Sequence, residues 1–177
     1  MKKIVLTYGI IAGLIVAAWM FATIQTMSEK MNSDIGMYLG FGGMIVAFAF
    51  IFVAVKSYRD KLNHGFISFG TGFQIGLYIT LIASTFYVIS WFINYYFFVP
   101  DFMEKYSAAV IDGLKESGAS AATVQAKVDE MADYNEMYKN PFFIALFTYT
   151  EILPVGLLVS LITALILKKK PEPQVGM

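Results

Sequence analysis

One acidic residue, Glu151, interrupts a long apolar stretch. Its position makes it the strongest candidate in this sequence for proton transfer or for binding a polar group. Residues 140–167 carry no other charge. Thr150 precedes it, and Pro154 follows three residues later, which frees the backbone carbonyl of Thr150 within a helix. An acid at the centre of a bilayer costs about 2.5 to 3.5 kcal/mol, so such residues are rare and are either paired or functional.

Two kinds of role are open for Glu151. It could relay a proton or a cation, or make the polar contact for a substrate, since acids inside membranes mark such pathways. Alternatively, a protonated Glu151 could donate one hydrogen bond that fixes the register of neighbouring helices. With the third apolar segment antiparallel to the last, Ser84 and Tyr87 fall near the depth of Glu151 on one helix face. They complete the candidate intramembrane polar site of Glu151, Thr150 and Pro154.

The composition supports a membrane setting for this acid. Of the 177 residues, 58% are hydrophobic and 15% are charged, against about 45 to 50% and about 25% in soluble domains. There is no cysteine and only one histidine, which excludes disulfides, thiolate metal sites and Cys nucleophiles. We therefore expect no metal site and no cofactor.

Catalysis and nucleic-acid binding have no support in the sequence. The 13 basic and 13 acidic residues balance, so the chain lacks the basic footprint that nucleic acid requires. No G-x-S-x-G, H-E-x-x-H, Walker or G-x-G-x-x-G motif occurs. We expect a protein that is not an enzyme and that binds no nucleic acid.

Long charge-free windows predict an all-α fold, a four-helix transmembrane bundle. About 20 apolar residues are needed to cross a bilayer. The predicted spans are residues 4–27, 35–55, 66–98 and 141–167. The third window could hold one long helix or two spans, but only one helix keeps all the basic flanks on one side. The positive-inside rule then predicts a multi-pass protein of the cell inner membrane with both termini, including the tail 171–177, in the cytoplasm.

The one sizeable polar segment, residues 101–139, is predicted to be an extracytoplasmic helical hairpin. It contains eight acidic residues and four lysines, a net charge of −4. A break at residues 117–120 separates two helical stretches, and Ser120 is the expected N-cap of the second. The hairpin either folds over the outer helix ends with a solvated acidic face or docks an extracytoplasmic partner.

Small residues recur every fourth position in all four spans, and such stripes let membrane helices approach closely. We predict a compact bundle, whose packing lies either within one chain or between chains. The predicted packing residues are Gly9, Gly13, Gly36, Gly40, Gly72, Gly76, Gly156 and Ser160.

Several short runs together resemble a family of small four-helix inner-membrane proteins of Bacteroidota catalogued as a domain of unknown function. These runs are residues 91–96, Pro100-Asp101-Phe102, Asn140-Pro141, residues 151–156 and residues 164–169. The resemblance covers nearly the whole chain and agrees with the predicted topology. It implies no activity.

These observations favour an accessory, scaffold or interaction subunit of the inner membrane, which binds a protein partner or forms a homo-oligomer in the lipid bilayer. The alternative is a small proton, ion or solute transporter or channel that uses Glu151. The absence of a clear inverted repeat weighs against an alternating-access carrier.

Overall fold

The structure is a computed structural model that describes residues 1–27 and 33–171, with side chains described for residues 1–24 and 38–171. Within these ranges the chain is all-helical, as predicted. It has six α-helices and one π-helical turn: α1 (Lys2–Met27), α2 (Ser33–Ser57), the π turn (Tyr58–Leu62), α3 (Phe69–Phe97), α4 (Phe102–Glu116), α5 (Ala121–Tyr138) and α6 (Pro141–Leu167).

Four of the described helices, α1, α2, α3 and α6, are long and apolar enough to cross a membrane. The charge-free stretch at residues 62–100 contains one such helix, α3, whose 29 residues span about 43 Å at 1.5 Å per residue. Four candidate spans were predicted from the sequence, and the structure confirms that number for the described residues.

The helices that position the candidate site, α3 and α6, each begin at a residue whose polar side chain accepts a hydrogen bond from the first turn, and so does α5. The Ser68 hydroxyl accepts a hydrogen bond from the Thr71 backbone N–H at 3.1 Å, and Ser120 caps α5 in the same way at 3.2 Å. Asn140 caps α6 by accepting from the Phe142 N–H at 2.9 Å. Pro141 occupies the first turn of α6, where its missing N–H costs nothing. Each long helix on either side of the hairpin therefore starts at a defined residue.

α3 is the central helix, because it packs against α1, α2 and α6. It runs parallel to α1: side chains of α3 lie against Gly9 and Gly13 in the same order along both helices. It runs antiparallel to α6, since Ile67 and Lys169 exchange backbone hydrogen bonds of 3.0 and 2.9 Å at one end. We name that end, where α1 begins and α6 ends, the terminal end, and the opposite one, which carries α4 and α5, the hairpin end.

Glycines set the close approach of α3 to α6. A Cβ added to Gly76 would lie 2.6 Å from the Ser160 hydroxyl oxygen, and one added to Gly156 would overlap Thr80. Gly72 faces Ala164 at an ordinary contact distance of 3.5 Å. Between these positions the Thr80 and Ser160 hydroxyls are hydrogen-bonded at 3.3 Å. The predicted small residues of α3 and α6 thus meet each other within one chain.

The predicted small residues of α1 pack against α3, whereas the described one of α2 packs against no helix. Gly9 lies against Ile82 of α3, and Gly13 lies against Phe86. Gly40 has nothing within 4 Å of an added Cβ, so it makes no close approach to another helix. Gly36 lies outside the residues whose side chains are described.

Candidate functional site

Glu151 meets a side chain of the neighbouring helix. The Tyr87 hydroxyl donates a hydrogen bond of 3.4 Å to Glu151 Oε1, which is longer than the roughly 2.5 to 3.0 Å usual between hydroxyl and carboxyl oxygens. Tyr87 is buried, whereas Glu151 is exposed on the surface of the single chain. Along α6, Glu151 lies about 15 Å from Pro141. The carboxyl therefore has one donor from its own chain and one face that its own chain leaves open.

The register of α3 and α6 explains why Tyr87 is the residue opposite Glu151. Gly76 meets Ser160, and Thr80 meets Gly156 one turn further toward the hairpin end. Seven further residues along α3 and five along α6 bring Tyr87 to the level of Glu151. The small-residue contact at the centre thus aligns the polar contact nearer the hairpin end.

Ser84 lies one turn below Tyr87, on the side of the terminal end. It is fully buried, and its hydroxyl has no hydrogen-bond partner among the described residues. Such an orphan hydroxyl is expected to bind a buried water or to return to a backbone carbonyl. Its position is the predicted one, but it makes no hydrogen bond to Glu151.

The structure does not bring Thr150 or Pro154 into the site. Thr150 is exposed, and its hydroxyl donates to the Leu146 carbonyl at 2.8 Å. Pro154 is exposed as well, and α6 continues through it as one helix. Both residues lie on the outward face of α6, which Glu151 shares.

Aromatic residues from α3, α4, α5 and α6 form a layer above Glu151 at the hairpin end. The Tyr138 ring lies 5.7 Å from that of Tyr95 and 5.9 Å from that of Phe147. The rings of Trp91 and Phe102 meet edge to face at 4.8 Å. Burial in this layer raises the pKa of Tyr138 to about 12, and the nearby Glu151 adds to the effect. We name these five residues the aromatic layer.

Polar groups on the buried face of α3 continue from the Glu151 level toward the hairpin end. Asn94 is fully buried, and its amide donates to the Ser90 carbonyl at 2.8 Å, but its Oδ1 has no partner among the described residues. The Trp91 indole N–H makes no hydrogen bond of good geometry among the described residues, but it lies close enough to the Tyr138 hydroxyl to oppose the rise of that pKa. With Ser84 and Tyr87 these groups follow the spacing i, i+3, i+7 and i+10. We name Ser84, Tyr87, Trp91 and Asn94 the polar column.

The sequence did not predict the part of this site that lies between Glu151 and the hairpin end. Tyr138, Trp91 and Asn94 were not among the predicted site residues, although Asn94 continues the helical spacing of Ser84 and Tyr87. That spacing could have identified Asn94 and Trp91. No signal in the sequence connects Tyr138 to Glu151, because only the return of α5 onto α3 and α6 brings the two together.

One part-buried hydrogen bond between side chains links the hairpin helices α4 and α5. Asn135 donates hydrogen bonds to the Ser107 hydroxyl at 3.0 Å and to the Met131 carbonyl at 2.8 Å. Ser107 and Met131 are both buried. α4 and α5 therefore form a packed pair.

All four lysines of the hairpin form ion pairs with nearby acids of the hairpin. The pairs are Lys105–Asp101, Lys115–Asp112, Lys127–Glu130 and Lys139–Glu136. In one of them, the hydrogen bond from Lys105 lowers the pKa of Asp101. The other four acids, Glu104, Glu116, Asp129 and Asp133, are left without an ion pair in the described part of the chain. The net charge of −4 is thus carried by exposed carboxylates.

An open cleft of about 360 Å³ lies between the hairpin and the end of α3. Its lining mixes aromatic, amide and charged side chains: Tyr95, Pro100, Met103, Glu104, Asn135, Glu136 and Lys139.

Nowhere in the described ranges do three His, Asp or Glu side chains gather closely enough to hold a metal ion. The candidate site is therefore the Glu151 carboxyl with one hydroxyl donor, Tyr87, and the other groups of the polar column along α3. This arrangement can exchange a proton or anchor a polar partner.

Comparison with known proteins identifies a family without an assigned activity. Residues 7–169 match the family described as "Protein of unknown function (DUF4199)". No curated protein and no solved structure matches the chain. The resemblance to a domain of unknown function is confirmed over nearly the whole chain, and the chemistry must be argued from the residues themselves.

Proposed function

Since the chain belongs to the DUF4199 family of proteins of unknown function, we propose that it is a non-enzymatic interaction subunit of the cell inner membrane. α1, α2, α3 and α6 cross the bilayer as one bundle, and the hairpin α4–α5 stands outside the cytoplasm. The subunit acts as an accessory or scaffold protein that presents this hairpin to a partner.

The positions of the basic residues support this orientation. Lys2 and Lys3 begin α1 at the terminal end, and Arg59 of the π turn donates to the Leu167 carbonyl there at 3.5 Å. The pairing of Ile67 with Lys169 brings residues 168–170 to the same end. Lysine and arginine near the ends of spans favour the cytoplasmic side.

The single observation that carries the interaction role is the unbalanced charge of the hairpin. Its lysines are all engaged by neighbouring acids, so Glu104, Glu116 and Asp133 present negative charge to the outside. Charge of one sign on an exposed, packed surface steers a partner of opposite sign and selects against others. The proposed partner therefore carries a basic surface outside the cytoplasm.

The topology can be tested first with single cysteines, because the chain has none of its own. Ser117→Cys, in the break of the hairpin, is expected to react with an impermeant maleimide in intact spheroplasts. Lys61→Cys, in the π turn, is expected to react only after the membrane is opened. The reverse pattern would reject the proposed orientation.

The partner is tested by purification from the native membrane in mild detergent, with mass spectrometry of what co-purifies. Replacing Glu104, Glu116 and Asp133 by their amides is expected to remove the partner at moderate salt. Asp112→Asn with Lys115→Gln removes one ion pair at constant net charge and is the matched control. Loss of the same protein in both variants, or in neither, would argue against a charge-steered partner.

A second function, proton or ion passage through Glu151, is favoured by the polar column. Asn94 Oδ1 on the hairpin side of Glu151 and Ser84 Oγ on its terminal side have no hydrogen-bond partner among the described residues. Both suit bridging waters to Glu151, since buried waters bind such groups. Glu151→Gln would then abolish proton flux in liposomes, whereas Thr85→Val, off the column, would not. Absence of flux in the unaltered protein would reject this function.

A further inference from the structure

The exposure of Glu151 is at odds with its depth in α6. The residue lies more than two turns inside an otherwise charge-free helix, yet its own chain leaves it exposed. Tyr87 supplies one hydrogen bond, at 3.4 Å, while a carboxyl group accepts up to about four. In a bilayer, the open side of this carboxyl would meet lipid chains unless another protein surface covers it, and that exposure is costly.

The chain itself offers no cation at this depth. Lysine and arginine are absent from residues 4–28, 35–55, 62–100 and 140–167. A second copy therefore brings no cation either, but it does bring a second Glu151. Two carboxyl groups in contact can share a proton, because like charges so close together cannot both ionise.

The residues around Glu151 have the spacing of a helix seam. Glu151, Pro154, Leu158, Leu161 and Leu165 alternate by three and four residues, the a and d positions of a heptad repeat, and we name them the α6 seam. All five are exposed, with Leu158, Leu161 and Leu165 at 57%, 40% and 48%. Such spacing keeps one face of a helix against a partner helix over several turns.

We propose that the α6 seam is the contact with a second copy of this chain. Two copies inserted in the same orientation, as the proposed function requires, must place their α6 helices parallel. In a parallel pair each a position faces the same position of the partner helix, and a two-fold interface is self-complementary. The two Glu151 carboxyls thus meet at the axis, with Leu158 and Leu165 paired beneath them toward the terminal end.

The position of the contact is tested by cross-linking single cysteines in the full-length protein in membranes. Leu165→Cys and Ile166→Cys are neighbours in sequence and both exposed, at 48% and 64%, but only Leu165 lies on the seam. Oxidation is expected to give a covalent dimer of Leu165→Cys and little of Ile166→Cys. Equal cross-linking of both would overturn the proposed contact.

The part played by Glu151 is tested by the dimer fraction at increasing lipid dilution, followed by energy transfer between labelled copies. Glu151→Leu is expected to weaken dimerisation by about 3- to 30-fold, the range of hydrogen bonds between membrane helices. Glu151→Gln keeps a side chain that can pair with itself, so it is expected to retain most of the dimer. Unchanged dimerisation in Glu151→Leu would overturn the role of the carboxyl.

Other outcomes separate this inference from the proposed function. If the helices do not span the membrane, Leu165→Cys reacts with a water-soluble maleimide in intact vesicles. If only the dimer is wrong, Leu165→Cys stays protected and fails to cross-link. A cross-link from this position to a different protein, at the expense of the dimer, would assign the seam to a foreign helix and overturn the proposal.

Discussion

The Tyr87 hydroxyl of α3 donates to the Glu151 carboxyl of α6 at 3.4 Å. The two residues lie at matching depths on antiparallel helices, and small residues nearer the terminal end set their alignment. The contact is the one side-chain hydrogen bond that Glu151 makes within the described residues. The bond therefore fixes one side of the carboxyl and leaves the other side for a proton pathway or a second copy.

Tyr87→Phe is expected to change the vibrational signature of Glu151 while leaving the fold intact. The carboxyl band, identified as the band lost in Glu151→Gln, should move because its hydrogen-bond donor is gone. Stability should fall by about 0.6 kcal/mol, the average for hydrogen bonds between membrane helices. The measurement is infrared difference spectroscopy combined with unfolding in mixed detergent.

Tyr149→Phe is the matched control for Tyr87→Phe. Tyr149 is hydrogen-bonded to Thr85 at 3.0 Å, so it also pairs α3 with α6 but does not touch Glu151. Its loss should cost a similar amount of stability without moving the Glu151 band. A band that moves equally in both variants would mean that Tyr87 has no special effect on the carboxyl.

Gly156→Ala is expected to destabilise the protein by about 1 to 3 kcal/mol, as overpacking does in a closely packed core. The added Cβ would overlap Thr80 and press on Phe48, which is fully buried. Because the same contact aligns Tyr87 with Glu151, the substitution should also disturb the Glu151 band. The measurement is the free energy of unfolding in detergent.

Gly40→Ala provides the comparison, since nothing lies within 4 Å of its added Cβ. Alanine is the better helix former by about 1 kcal/mol, so this variant should be neutral or slightly more stable. Equal destabilisation by the two substitutions would contradict the close approach of a neighbouring helix at Gly156 and its absence at Gly40.

The helices were largely predictable because their signals are local. A charge-free window of sufficient length needs no tertiary information, and the predicted cap at Ser120 is a short-range pattern. The distribution of basic residues was enough to identify α3 as one helix in the stretch of residues 62–100. The contact of Tyr87 with Glu151 follows from counting residues along two antiparallel helices.

What the sequence could not supply depends on how distant segments return to each other. Tyr138 contacts Tyr95, and comes close enough to Glu151 for its charge to act on the phenol, only because α5 folds back over the ends of α3 and α6. Thr150 was predicted to join the site, but it faces outward, since hydrophobicity does not distinguish a face turned to lipid from a face turned to another helix. Gly40 carries the small-residue spacing without any close neighbour for the same reason.

Asn135→Ala is expected to loosen the hairpin by about 1 kcal/mol, the usual net cost of one hydrogen bond. Asn135 is the side chain that links α5 to the buried Ser107 of α4. Its loss should raise hydrogen exchange in both helices and leave α3 and α6 protected. Gln125→Ala is the control, because Gln125 bonds only to Asp129 on the exposed face of the same helix. Faster exchange in that control would show that any α5 substitution loosens the pair.

Tyr138 gives the fold a dependence on alkaline pH. Burial raises its pKa to about 12 in the folded protein, against about 10 in an unfolded chain. The folded state therefore holds this proton more tightly, and the stabilisation is complete below pH 10 and is lost as the pH rises from 10 through 12. The difference in ultraviolet absorbance between the unaltered protein and Tyr138→Phe isolates this one phenol, and its midpoint is expected near pH 12. The stability of Tyr138→Phe should fall less steeply over the same interval. A difference titration centred at pH 10 would mean that Tyr138 is open to water and that the aromatic layer does not close over Glu151.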